Sequence, residues 1–204
     1  MKDEFDPVTP DEEGGKLSRD DINTLPLFHY PGKVILIRTA GDMKKASERL
    51  SRERVLGFDT ETRPSFVRGK SYSPSLVQLA GAHEIYLFQL KWQPFSSPLV
   101  DLLASGDIVK AGVAVHEDMH ALEKLCPFIP AGVVDLAAVA RRHHLQNQSL
   151  RALAAFFLGV RVSKGEQCSN WAARDLTLRQ VRYAATDAWA SRAIYLRMQE
   201  QGMV

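Results

Sequence analysis

Cysteine is nearly missing from this chain of 204 residues, where Cys126 and Cys168 are the only two. Two thiols cannot build a disulfide framework, and they lack the C-x-x-C spacing of a structural zinc site. Reduced thiols in a cytoplasm are the reading. Long apolar runs are missing as well, since no stretch approaches the roughly 20 residues of a membrane span. A secretory signal would need positive charge followed by an apolar run, and the N-terminus instead carries Asp3, Glu4 and Asp6. These absences predict a soluble, cytoplasmic protein without a membrane partner. Neither an internal repeat nor a low-complexity tract is found beyond the first residues.

What is present is ordinary globular composition, 45% hydrophobic and 25% charged, enough for one core. The formal net charge of +2 is unevenly spread: residues 1–20 hold seven acidic and three basic side chains, net −4, which leaves +6 for the remainder. With Pro7, Pro10 and Gly14-Gly15 and few large apolar residues, that opening segment cannot bury enough surface to offset its ordering entropy. Residues 1–30 are therefore expected to be a disordered acidic tail and an extended arm, the latter ending in "NTLPLFHYPGK" (23–33), and residues 31–204 to form the domain. A moderately basic body suits a phosphate-rich ligand.

Along the body, "KVILIRT" (33–39) reads as a strand and "GDMKKASERLSRE" (41–53), with Met43, Ala46 and Leu50 at helical spacing, as a helix. "RVLGFDTET" (54–62) is a buried strand that meets charge abruptly, and "SLVQLAGAHEIYLFQL" (75–90) is a hairpin turning at Gly81-Ala82-His83-Glu84. "DIVKAGVAV" (107–115) is a further strand. Helical patterns follow in "MHALEKL", "VVDLAAVARRHH" and "SLRALAAFFLGV", the last with Ser149 as N-cap. The final helix opens on Thr177-Leu178-Arg179-Gln180, the S/T-x-x-Q form of a capping box, and runs to about Arg197. A hairpin among strands followed by a helical second half predicts an α/β fold, a mixed sheet flanked by helices.

The pentapeptide "HEDMH" (116–120) has the letters of a zinc-peptidase helix, H-E-x-x-H. That chemistry requires both histidines on one helix with a third ligand beyond. Four of the eight residues before His116 (Ile108, Val109, Val113, Val115) are β-branched, which places His116 at a strand end. Where the longer zincin pattern wants a histidine, six positions after His120, the chain has Cys126, and Glu166 is only a remote candidate.

The carboxylates are more informative. On a strand, residues i and i+2 share a face about 6.6 Å apart, so Asp59 and Glu61 leave the sheet side by side. Two close anions raise each other's pKa unless a cation neutralises them. Alone, the pair also reads as a solvated strand end. "RYAATDAW" sets Tyr183 and Asp187 at i and i+4, on one helical face. That face is either an exposed polar stripe or an inward-facing pair among Ala184 and Ala185. Asp118 follows the 107–115 strand, near a carboxyl end where sites on α/β sheets gather, and also suits a helix N-terminus.

Together, D-x-E, then D, then Y-x-x-x-D resembles the DEDDy subgroup of 3'-5' exonucleases, over roughly residues 33–200. The segments "SYSPSLVQLA", "KAGVAVHEDMHAL" and "NWAARDLTLRQVRYAATDAW" resemble Werner-type exonuclease domains more than ribonuclease D. The resemblance implies a ribonuclease H-like fold, two Mg2+ or Mn2+ ions, and attack on the 3' ends of DNA or RNA to release nucleoside 5'-monophosphates. It implies that Asp59, Glu61 and Asp187 hold one ion, and that Asp59 reaches a second supported by Asp118. Tyr183 would orient the attacking water. Four hard oxygen donors suit those ions and not zinc.

The likeness has departures. Thr62 stands where relatives often carry an aromatic or other apolar residue, and His120 where Werner-type domains carry an aromatic one, so His120 either stacks on a base or is a surface histidine. Arg68, Lys70 and Lys164 are candidate phosphate contacts, whereas Trp171 and Trp189 read as core. No length remains for a helicase or a second nucleic-acid-binding domain, so a stand-alone nuclease is expected. The Werner-type segments favour DNA over RNA. The rival reading is a catalytically silent nucleic-acid-binding module, which would be expected to have lost a ligand.

Overall fold

A computed structural model describes residues 16–69, 71–92 and 95–204. Six strands form one sheet in the order β1-β4-β3-β2-β5-β6. They are β1 (Lys33–Ile37), β2 (Val55–Glu61), β3 (Leu76–Ala80), β4 (Glu84–Gln89), β5 (Val109–Gly112) and β6 (Val133–Asp135). β3 runs antiparallel to both its neighbours, and the other pairings are parallel. The mixed sheet flanked by helices is the one the sequence pattern predicts.

Strand alternation sorts the core onto two faces. Leu56 and Phe58 of β2, Val77 and Leu79 of β3, and Tyr86 and Phe88 of β4 bury against α2 (Ala40–Leu50), α3 (Ser97–Ala104) and α4 (Val115–Glu123). On the other face, Leu76, Ala80, Ile85 and Leu87 meet Trp171 and the small residues Ala184, Ala185 and Ala188 of α7 (Leu178–Glu200). α5 (Leu136–Arg142) and α6 (Leu150–Leu158) complete that layer with Ile194 and Met198. Burying each large apolar side chain is worth about 1.5–3 kcal/mol, which is what holds α7 across the sheet.

Gly57 decides how closely α7 lies. A Cβ there would stand 1.9 Å from the Ala188 carbonyl oxygen and 2.8 Å from the Arg192 amide nitrogen. Only a residue without a side chain permits that backbone-to-backbone approach. The start of α7 is secured by its capping box: the Gln180 amide donates to Thr177 Oγ1 at 3.2 Å, and the Thr177 amide donates to Gln180 Oε1 at 2.9 Å.

Several elements differ from the sequence reading. β5 stops at Gly112, because Ala114 turns into the left-handed region at φ 56° and α4 opens at Val115. His116 and His120 therefore do share a helix, and local β-branching is overridden by a tight strand-to-helix turn. Val133–Asp135 is a strand, not the first turn of a helix, because Asp135 caps α5 by accepting from the Ala137 amide at 2.8 Å. α3, which opens on Ser97-Pro98 and buries Leu99, Leu102 and Leu103, is a helix that the sequence reading does not include.

The expected disordered tail falls partly outside the described residues, which begin at Lys16. Within the rest of residues 1–30, Arg19–Thr24 is a helix, α1, with a Ser18–Asp21 capping box. Its Ile22 packs on Ala152 and Ala155 of α6, and that docking supplies the apolar burial that composition alone did not reveal. Beyond it the chain is extended and bridges Leu27 to Arg161. Among the described residues no helix is long and apolar enough to cross a membrane.

Candidate active site

The two acids of β2 stand on its α7 face, at the carboxyl end of the strand. α7 brings Asp187 down onto them, because Gly57 lets it approach and Asp187 neighbours Ala188, the residue in contact with that glycine. The carboxylates of Asp59, Glu61 and Asp187 each offer an oxygen, all within 4.8 Å of one another. Glu61 and Asp187 are only 8% and 5% exposed. Tyr183, one turn earlier on α7, is buried against the Trp171 ring, with centroids 5.9 Å apart.

Asp118 comes from the opposite layer. Thr60 points away from its neighbours by strand alternation and donates its hydroxyl to Asp118 Oδ1 at 2.6 Å, while its amide donates to Asp59 Oδ1 at 3.0 Å. One threonine thus ties the fourth acid to the trio. The "DTE" spacing held that signal, but only the packing of α4 reveals it.

The electrostatics are those of uncompensated negative charge. Burial first, then Asp187 and Asp118, holds Asp59 well above the ordinary carboxylate range. Burial, followed by Asp59, Asp187 and Asp118, pushes Glu61 up to about 10. Burial raises Asp187 to about 7 against the downward pull of the Tyr183 hydroxyl. Asp118 rises to about 6, again chiefly by burial, with the Thr60 hydrogen bond restraining it. Burial and the nearby Asp187 and Glu61 raise Tyr183 too, so it stays a hydroxyl donor. Among the described residues no lysine or arginine forms an ion pair with any of the four acids. Hard oxygen donors crowded in a low dielectric without a protein cation fit a divalent ion such as Mg2+ or Mn2+. Gln78, directly across the ladder from Asp59, is fully buried and its amide has no protein partner among the described residues.

A cleft of about 300 Å3 opens over the acids, lined by Asp59, Glu61, Tyr183 and Asp187 together with Arg151 and Lys164. The candidate Lys164 is thus among the residues that line it. Arg151 was missed: it is the single charge in an apolar helix start, and nothing local shows which way it faces. Of the other described candidates, none lines the cleft. Thr62 is half-buried just past β2, and Arg68 is exposed in a turn. His120 is exposed on α4, 3.7 Å from Glu123. Lys70 lies outside the described residues. Trp171 and Trp189 are packed rather than presented to a base, Trp189 stacking on Phe28 at 4.2 Å. Although His116 and His120 share α4, the acidic grouping contains no histidine, and Glu166 is held by Arg179 at 2.7 Å.

A mixed six-stranded sheet bearing this acidic cluster is of the ribonuclease H-like exonuclease class. The Aedes aegypti Nibbler EXO domain superposes with a TM-score of 0.76 at 25% identity, covering 85% of this chain and 92% of that one. Escherichia coli RNase D shares the fold with a TM-score of 0.72, over 84% of this chain and 47% of its own. The 3'-5' exonuclease family model matches residues 34–202, and the chain belongs to that family. The murine bifunctional 3'-5' exonuclease/ATP-dependent helicase WRN is 33% identical over 190 residues, 88% of this chain and 14% of that protein. Ribonuclease D of Gluconacetobacter diazotrophicus is 32% identical over 171 residues, 82% of this chain and 42% of the enzyme. The chain thus spans less than half the length of either curated relative.

Proposed function

We propose that this chain is a metal-dependent 3'-5' exonuclease of the DEDDy subgroup, acting on DNA in preference to RNA and releasing nucleoside 5'-monophosphates. One observation carries the reading: three carboxylates, two buried and one half-buried, within 4.8 Å of one another, unpaired by any described protein cation, with Tyr183 one turn before the third. Asp59, Glu61 and Asp187 would hold one Mg2+ or Mn2+, and Asp59 with Asp118 behind it a second. Bound there, the ions supply Lewis acidity to water and neutralise charge developing at phosphorus. The protein contributes positioning. Thr60 fixes Asp118, Tyr183 directs its hydroxyl toward the attacking water, and Arg151 and Lys164 meet the phosphates across the cleft. The catalytic unit is residues 31–204, with α1 docked on it. The free Cys126 and Cys168 are consistent with a cytoplasmic setting.

The Werner-type likeness of three segments, together with 33% identity to the murine relative, supports DNA. Similarity to proteins named ribonuclease D makes RNA the second arm of the test. A silent binding module is disfavoured because all four acids and the tyrosine are in place. The test is a gel assay of 5'-labelled DNA and RNA strands of matched sequence, with Mg2+ or Mn2+, an EDTA control, and the Asp59→Ala and Asp187→Ala variants. The expected result is a metal-dependent ladder shortening from the 3' end, faster on DNA and abolished in both variants. Full activity in either variant overturns the site, and an inert wild-type chain restores the silent module.

A further inference from the structure

Beside the cleft lies a second and larger groove, of about 710 Å3, that the sequence did not foretell. It runs between α1 and the start of α6, and it shares Ser149, Arg151 and Lys164 with the cleft over the acids, so the two adjoin. Among the described residues that line it, four are basic (Lys16, Arg19, Arg151 and Lys164) and none is acidic. None of the four forms an ion pair among the described residues. Some cations elsewhere are matched, as Lys33 and Arg49 are by Glu84 and Arg179 is by Glu166. Concentrating unpaired cations along one groove raises the local potential for a polyanion. The wall that creates it is built in: Asn147 donates to the Leu17 carbonyl at 2.7 Å, Arg151 donates to Asn23, and Ile22 seats α1 on α6.

Resting on the nuclease reading, we propose that this groove binds the sugar-phosphate backbone of the substrate strand on the 5' side of the bond being cut. A strand whose 3'-terminal phosphodiester sits over Asp59 and Asp187 must leave the cleft, and the shared residues Arg151 and Lys164 lead it past Lys16 and Arg19. Contacts of this kind position without reading sequence. α1 is therefore part of the binding surface, not a linker.

The experiment measures binding of a fluorescent 12-nucleotide single strand by anisotropy, in EDTA so that no cleavage occurs, across a salt series. It uses the full chain, the Lys16→Ala/Arg19→Ala variant, and a charge-matched control, Lys44→Ala/Lys45→Ala, on the exposed side of α2. Lys16 and Arg19 are exposed, so their truncation leaves the core intact. The groove variant is expected to bind more weakly, with a log–log salt slope shallower by about 1.4, two contacts at about 0.7 each. The control should keep the wild-type slope. Equal slopes in all three proteins, or no binding by the wild type, overturn the groove. If the wild type cleaves while the slopes are equal, only the groove fails. If it binds with the expected slope change but never cleaves, only the nuclease reading fails.

Discussion

At the level of single residues, Tyr183 shows how chemistry and packing are divided within one side chain. Its ring is held against Trp171 and its hydroxyl faces Asp187 and the cleft. Removing only the oxygen separates the two roles. Tyr183→Phe should lower turnover by about 10²-fold while leaving Mn2+ affinity nearly unchanged, because the acids keep their places. Single-turnover rates beside a Mn2+ titration check this, and a parallel loss of metal binding would assign the hydroxyl to holding Asp187 instead. Strand and helix periodicities put Asp59 beside Glu61 and Tyr183 beside Asp187, and the family resemblance joined the two pairs. Thr60 and Arg151 were not legible, since a hydroxyl between two acids and a lone arginine near a helix start acquire their roles only from what packs opposite.

The elements β2 and α7 make the site by touching, and Gly57 is the point of contact. Gly57→Ala introduces a carbon 1.9 Å from the Ala188 carbonyl, so α7 must shift outward and take Asp187 with it. Overpacking of this kind costs about 1–3 kcal/mol, and a displacement near 1 Å at a reacting centre can lower the rate by about 10²-fold. Urea midpoints and turnover measured on the same variant should both fall, and an unperturbed variant would show that α7 is not held by this contact. Helix α4 teaches the opposite lesson. Its start after Ala114, at φ 56°, reads as strand because β-branched residues dominate the local count, while in the fold Val115, Met119 and Leu122 bury against the sheet and Asp118 meets Thr60.

For the whole molecule, buried acids make stability depend on pH and on metal together. Asp187 keeps its proton in the folded state up to about pH 7, and Glu61 up to about 10, whereas both lose it near pH 4 when unfolded. Between those limits the unfolded chain binds fewer protons, so the metal-free protein loses stability as pH rises from about 4 through 7 and beyond. A divalent ion reverses the sign by pairing with the ionised forms. At an ion concentration near one hundred times Kd, stabilisation should be about 2.7 kcal/mol, roughly 5–10 °C in Tm. The gain should be larger at pH 8 than at pH 5, because at pH 5 the ion must displace protons. Thermal melts with Mg2+, Mn2+ and EDTA at both pH values test this, and a metal response equal at the two would exclude the acidic trio as its source.

The chain's local patterns alone determined the mixed sheet with its hairpin, the capped helices α6 and α7, and the placing of Asp59 with Glu61 and of Tyr183 with Asp187 on shared faces. Each of these follows from short-range rules: alternation on strands, i to i+4 spacing on helices, and side chains that cap nearby amides. Tertiary structure alone decided that Asp118 joins the trio through Thr60, that the H-E-x-x-H helix is real yet assembles no metal cluster among the described residues, and that α1 folds onto α6 to line a basic groove. Those outcomes depend on long-range burial and on charges brought together from distant segments, and no window of sequence contains both partners.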